Sequence, residues 1–257
     1  MTEYVFQNYI AFLLVFTRIS GAILFNPFLG RKNIPAIVKV GLSLATAFLV
    51  SPTVDNVQSV GLYGVSFMAA AFFELVIGYM SGMLVGMITS FVVTAGEMSD
   101  TQLGLGMSKV YDPQSNVSMP VTGTIYNLML TLIFFCMDGH LTLIRLIARS
   151  CEIFPPGSMK INTEVGSYIA IFFGSVLQMA LKLALPVIAA EFIVEAGMGV
   201  LMRTVPQINV FVASLQLKLI IGLVLLILFL PTAAGIMGSS IDFMFEKLED
   251  CMILMLG

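Results

Sequence analysis

Only one histidine, His140, and three scattered cysteines, Cys136, Cys151 and Cys251, occur in this 257-residue chain, and tryptophan is missing. Zinc and redox sites draw on closely spaced Cys and His, so neither a metal centre nor a disulfide framework is encoded, and no cofactor is expected. Charge is equally scarce. Asp, Glu, Lys and Arg make up 11% of the residues, with a net charge of -3 and no basic block, which argues against nucleic acid as a partner. No nucleophile, base and orienting group fall together, so no enzyme activity is expected. The excess is apolar, at 58% hydrophobic residues and a mean hydropathy of +1.00. That balance marks a polytopic membrane protein bathed in lipid, all-α and built of long, kinked and broken helices packed as hairpins. The first apolar run opens at Tyr4 with no basic residue before Arg18, unlike a cleavable signal peptide.

One stretch departs from this composition. Residues 95–122 are polar and punctuated by glycine, and they separate an apolar run of 22 residues from Leu75 to Gly96 from one of 24 residues from Gln114 to Met137. Irregular polar backbone at membrane depth is tolerated only where it is buried in protein or lines a water-filled path. The stretch is therefore read as the working part of a pore or transporter. Gly104-x-Gly106-x-x-Lys109 lacks both the GxxxxGK[ST] spacing of a phosphate loop and a strand before it, so nucleotide binding is not expected. The apolar Met107, Val110, Tyr111 and Met119 beside polar neighbours suit a removable seal.

In chain order, residues 4–25 predict a first helix interrupted by Arg18 and closed by Asn26-Pro27. Arg31, Lys32 and Lys39 form a small basic cluster before a run from Val40 to Val54 of only 15 uncharged residues. A helix needs about 20 apolar residues to cross a bilayer unaided, so this segment is expected to pack against other protein. Residues 62–95 predict a long helix carrying Glu74 and a series of glycines, Gly78, Gly82 and Gly86, whose spacing lets another backbone approach closely. A further helix over 120–137 breaks at Asp138-Gly139-His140, and 141–149 is amphipathic with Arg145 and Arg149 on one face. Phe154-Pro155-Pro156-Gly157 signals a turn. Residues 165–203 resume the helix, interrupted by Lys182 and Pro186. The last apolar segment, 208–230, ends at Pro231, and an acidic tail from Asp242 to Asp250 is expected outside the membrane. The whole is read as one membrane-integrated domain, with an N-terminal part over 1–160 and a C-terminal hairpin and tail over 161–257.

Charges within apolar helices demand partners. Glu191 and Glu195 are four residues apart and share a helix face, where like charges repel. If the helices flanking Pro206 form an antiparallel hairpin, Glu195 lies 11 residues before the turn and Lys218 lies 12 after it. At about 1.5 Å per residue both then sit roughly 17 Å from the turn, so a Glu195–Lys218 pair is expected, with Glu191 as its alternate or a contact to another subunit. Such charges serve either as an ion relay or as a polar lock between helices, and the lock is preferred because no chain of partners is evident. Glu97 and Asp100, three apart, would share a face if their helix continues.

These residues resemble the FliR family of flagellar export-gate proteins and its virulence-type counterparts, over nearly the whole chain. The resemblance rests on Ala95-Gly96-Glu97 with Asp100 and the Gly104 to Pro113 loop, on Asp138-Gly139-His140, and on Pro186 with Glu191. Its most specific part is the run from Arg203 to Phe211, containing Pro206, Gln207 and Asn209, followed by Lys218. The resemblance implies a non-catalytic subunit of the type III export apparatus in the bacterial inner membrane, at the flagellar basal body. It implies assembly with FliP and FliQ, alongside FlhB and FlhA, into a helical complex that passes unfolded export substrates. It also implies that Gly104 through Asn116, including Gly106, Met107, Val110 and Tyr111, act as a plug. The competing reading from the residues alone is a secondary transporter of a small solute that uses Glu191, Glu195 and Lys218.

Overall fold

The computed structural model describes residues 2–54, 64–107, 110–112, 117–158, 162–204 and 210–255. Among these, seven helices carry the fold: α1 (Thr2–Leu24), α2 (Ala36–Val50), α3 (Val65–Gln102), α4 (Val121–Cys136), α5 (Gly139–Ile153), α6 (Glu164–Thr204) and α7 (Val210–Leu254). Short 3-10 turns follow α2 at Ser51–Thr53 and α3 at Leu105–Met107. The one departure from an all-helical architecture is a minimal hairpin in the central stretch. There β1 (Val110–Asp112) pairs antiparallel with β2 (Val117–Met119), Val110 opposite Met119 and Asp112 opposite Val117.

Four described helical segments are long and apolar enough to cross a membrane: Ala36–Thr53, Val65–Gln102, Glu164–Leu201 and Gln216–Leu254. Three helices far exceed that need. At 38, 41 and 45 residues, α3, α6 and α7 would measure about 57, 62 and 68 Å if straight, against a hydrocarbon core of about 30 Å. Helices of that length must run well outside the hydrocarbon or tilt steeply within it.

One expected helix end is absent: Pro231 lies inside α7, which continues through the acidic tail to Leu254. Pro186, read as an interruption of the 165–203 helix, likewise lies inside α6. A proline removes one backbone bond and bends a helix rather than ending it where packing restores the lost partner. The tail accordingly has a packed face, with Met244, Leu248, Cys251 and Met252 buried. Likewise α3 runs past residue 95 to Gln102, so the first third of the polar stretch is helical.

The chain packs as two compact units, each assembled from distant parts of the sequence. One comprises residues 1–88, 135–173 and 241–257, and the other residues 89–134 and 174–240. In the first, α1 and α3 meet at backbone distance. A Cβ on Gly21 would lie 2.9 Å from the Leu75 carbonyl oxygen, one on Gly78 would collide with the Arg18 carbonyl, and one on Gly82 would lie 3.0 Å from Phe25 Cβ. Gly86 faces open space, so the four-residue glycine series is a contact surface for two of its three members. The short α2 leaves Ile37, Phe48 and Leu49 exposed. Its opposite face, with Ser43, Thr46, Ala47 and Val50 buried, packs against α1, the protein contact expected of it.

Candidate functional site

The central stretch is anchored by what surrounds it. In the second unit, the C-terminal end of α3 touches the start of α4 through two glycines. A Cβ on Gly96 would collide with the backbone of Gly123, and one on Gly123 would lie 2.6 Å from Pro120 Cγ. This contact brings Asp100, buried at 2% exposure, onto the first turn of α4. The Thr122 amide donates to both Asp100 carboxylate oxygens at 3.3 Å, and the Thr122 hydroxyl donates to Oδ1. A helix N-terminus has unpaired N–H groups and a positive dipole end. A carboxylate from another helix satisfies both, so Asp100 caps α4. Glu97, three residues earlier, is exposed, so the two carboxylates do not form a buried pair.

Between these anchors α3 ends at Gly104, whose φ of +76° is the left-handed conformation that glycine adopts at helix ends. Gly106 and Met107 fall in the 3-10 turn, and Val110 and Tyr111 in β1. Asn116 and Lys109 lie outside the described residues. Because Asp100 and Thr122 are in contact, the chain leaves α3 and enters α4 at a common base.

The α6–α7 pair is antiparallel, as the partners show. In the second unit Lys218 Nζ stands 3.3 Å from Glu195 Oε1, the pair anticipated from the residue count. Within the first unit the Tyr168 hydroxyl donates to the Lys247 carbonyl at 2.9 Å, and the Phe172 and Phe243 rings stack at 6.1 Å. The pair at Lys218 is partly open, since the Glu195 side chain is 58% exposed. Glu191 is different. It is 1% exposed, and neither carboxylate oxygen has a hydrogen-bond partner among the described residues. Of the family run, Arg203 is exposed in the last turn of α6 and Phe211 lies in the first turn of α7. Pro206, Gln207 and Asn209 lie outside the described residues.

The most completely buried charge pair was not foreseen as a pair. In the first unit Arg18 Nε donates to Glu74 Oε2 at 2.5 Å, both side chains 1% exposed. Arg18 Nη1 also donates to the Ser150 carbonyl at 2.8 Å and the Phe154 carbonyl at 2.7 Å, at the C-terminal end of α5, while Glu74 Oε1 accepts from the Gly157 amide at 2.9 Å. One ion pair thereby ties α1 and α3 to the end of α5 and the turn that follows. The sequence held part of the signal: each charge stands alone in its apolar run, 4–25 and 62–95, and lone intramembrane charges of opposite sign seek each other, but nothing local says which two helices meet.

Buried cross-helix charges, helices longer than a bilayer and a loop closed at its base define a polytopic helical membrane protein built around an anchored central loop. The family follows from comparison with known proteins. Residues 9–244 match the family described as "Bacterial export proteins, family 1", and the chain belongs to that family. It is 29% identical to the flagellar biosynthetic protein FliR of Bacillus subtilis, over 95% of each chain. It is 30% identical to that of Aquifex aeolicus, over 93% of each. Secretion system apparatus protein SsaT of Salmonella typhimurium is 24% identical, covering 91% of this chain and 92% of its own. The chain is thus a membrane-embedded component of flagellar or type III export.

Proposed function

We propose that the chain is a non-catalytic subunit of the export gate, forming with FliP- and FliQ-type partners the channel for unfolded substrates, with residues 104–116 as its plug. On this reading it works in the inner membrane, at the flagellar basal body, beside FlhA- and FlhB-type subunits. The observation that carries the proposal is the family match running through nearly the whole chain, central loop included. The loop's construction suits the role, because a plug needs a fixed base and a part that yields. The Gly96–Gly123 contact and the Asp100 cap supply the base. Glycine turns and flexible methionines, 18 in the chain, suit a seal that re-forms around different segments.

Helices about twice as long as a bilayer is thick suit a subunit assembled with others rather than a bundle of simple spans. The test is to recover the tagged full chain from detergent-solubilised membranes and identify its companions by mass. A stable large complex with small hydrophobic partners is expected, and deletion of residues 104–116 in that complex should make the membrane leak small ions. A free monomer or dimer that moves a solute when reconstituted alone would overturn the proposal.

A further inference from the structure

Two features of the second unit meet at one point of α7. The first is a notch. Among the glycines of α7, Gly235 faces open space, but a Cβ on Gly222 would collide with Leu103 Cδ2 and would lie 3.0 Å from Glu191 Oε1. The second is the orphan carboxyl itself, buried at 1% exposure and without a hydrogen-bond partner among the described residues. Leu103, also 1% exposed, is the residue immediately before Gly104, where α3 ends and the central loop begins. A knob at the root of the loop therefore rests in a notch of α7, against the flank of a carboxyl with no hydrogen-bond partner among the described residues.

We propose that Leu103 in the Gly222 notch is the catch that holds the central loop in its closed position, and that Glu191 beneath it sets how firmly the catch holds. The inference rests on the plug reading and names the residues through which it acts. An apolar side chain seated against a glycine gains close packing, and a larger residue at 222 would displace the Leu103 side chain from that seat. An unpaired carboxylate sealed from water is costly when charged. Withdrawal of Leu103 gives Glu191 access to water or to Lys218 one turn away, so a charge at 191 favours release of the catch. The charged groups facing Glu191 are Lys218 of α7 and Glu195 of α6 itself. On the α3 side Asp100 is engaged by Thr122, and Leu103 brings no charge.

The test uses the full chain in the assembled gate and reads the leak of a small ion across the membrane. G222A drives a methyl into Leu103 and is expected to raise the leak about tenfold, the change produced by ~1.4 kcal/mol less preference for the closed state. L103A removes the knob without overpacking and should leak similarly, so it decides the matter if G222A fails to assemble. The double variant L103A/G222A should leak no more than the worse single, since both break one contact, whereas independent effects would multiply. E191Q keeps the shape but removes the charge and should lower the leak of L103A several-fold. If G222A and L103A assemble and remain tight while deletion of 104–116 leaks, the catch is wrong and the plug stands. If the deletion also remains tight, the plug reading fails first.

Discussion

Removing Arg18 should damage the protein more than removing its partner, and removing both should cost less than the two losses combined. Methionine at 18 strands the Glu74 carboxylate at 1% exposure and takes the donor from the Ser150 and Phe154 carbonyls. Breaking a buried pair from one side costs about 3–5 kcal/mol; the Ser150 carbonyl still accepts the Phe154 amide at 2.9 Å, so the Phe154 carbonyl alone loses its donor and adds roughly 1 kcal/mol. R18M therefore loses at least ~4 kcal/mol, a large share of the 5–15 kcal/mol that holds a typical domain together. E74Q retains an oxygen for the Gly157 amide, and Arg18 keeps its two carbonyls, so its cost should stay near the lower bound of about 3 kcal/mol. In R18M/E74Q no charge is left buried, and the total should fall ~2–3 kcal/mol short of the sum of the two single losses. The assay is thermal unfolding of the purified full chain in detergent, followed by reaction of a thiol dye with the buried Cys151 and Cys251 in a C136S background, because Cys136 is exposed. A double variant whose loss equals the sum would show that the two charges do not depend on each other.

Lys218→Met leaves Glu191 and Glu195 on one helix face without their cation and should cost about 1 kcal/mol, since the pair is partly open, while E246Q, at an exposed surface pair, should change stability by less than ~0.5 kcal/mol. Equal tolerance at the two positions in the same thermal assay would remove Lys218 from the lock. Gly78→Ala should prevent stable folding because its methyl has no room against the Arg18 carbonyl. Gly86→Ala, in open space, should raise the unfolding temperature by the helix-propensity gain of up to ~1 kcal/mol; the opposite order would contradict the α1–α3 contact. Asp100→Ala removes the cap of α4, at a cost of about 1–2 kcal/mol, and limited proteolysis should then cut within residues 104–120 several times faster than in the parent. An unchanged cutting rate would mean that the cap does not anchor the loop.

What the sequence made legible followed from spacing along a single helix or across a single turn. The apolar runs located the helices, and counting residues on either side of Pro206 put Lys218 opposite Glu195, where the two stand 3.3 Å apart. What stayed hidden depended on contacts between distant segments. Arg18 and Glu74 are 56 residues apart, and their helices meet through close approaches such as Gly21 on Leu75 and Gly78 on Arg18. Asp100 read as half of an acidic pair with Glu97, because the start of α4, 22 residues away, is not deducible as its partner from periodicity. Pro231 misled for another reason. Local rules make proline a helix breaker, whereas within a long apolar helix it can bend the helix without ending it.

Among the described residues, the buried charges Asp100 and Arg18 are placed by a common logic from which Glu191 departs. Asp100 meets the N-terminal end of α4 and Arg18 meets the C-terminal end of α5, each with the sign that the helix dipole favours there. Both helices are short and interrupted, flanking the Asp138 break with its φ of +54°, and their unpaired ends could not be left bare in an apolar setting. These charges therefore balance the cost of broken helices and account for themselves structurally. Glu191 caps no helix end, accepts no hydrogen bond among the described residues and lies one turn from a lysine already engaged by Glu195. A residue that only held helices together would be better apolar at that position, where packing is obtained without an unsatisfied carboxyl. Its placement against Gly222 and Leu103, at the root of the loop, is where a group that is uncomfortable in the closed state would favour opening.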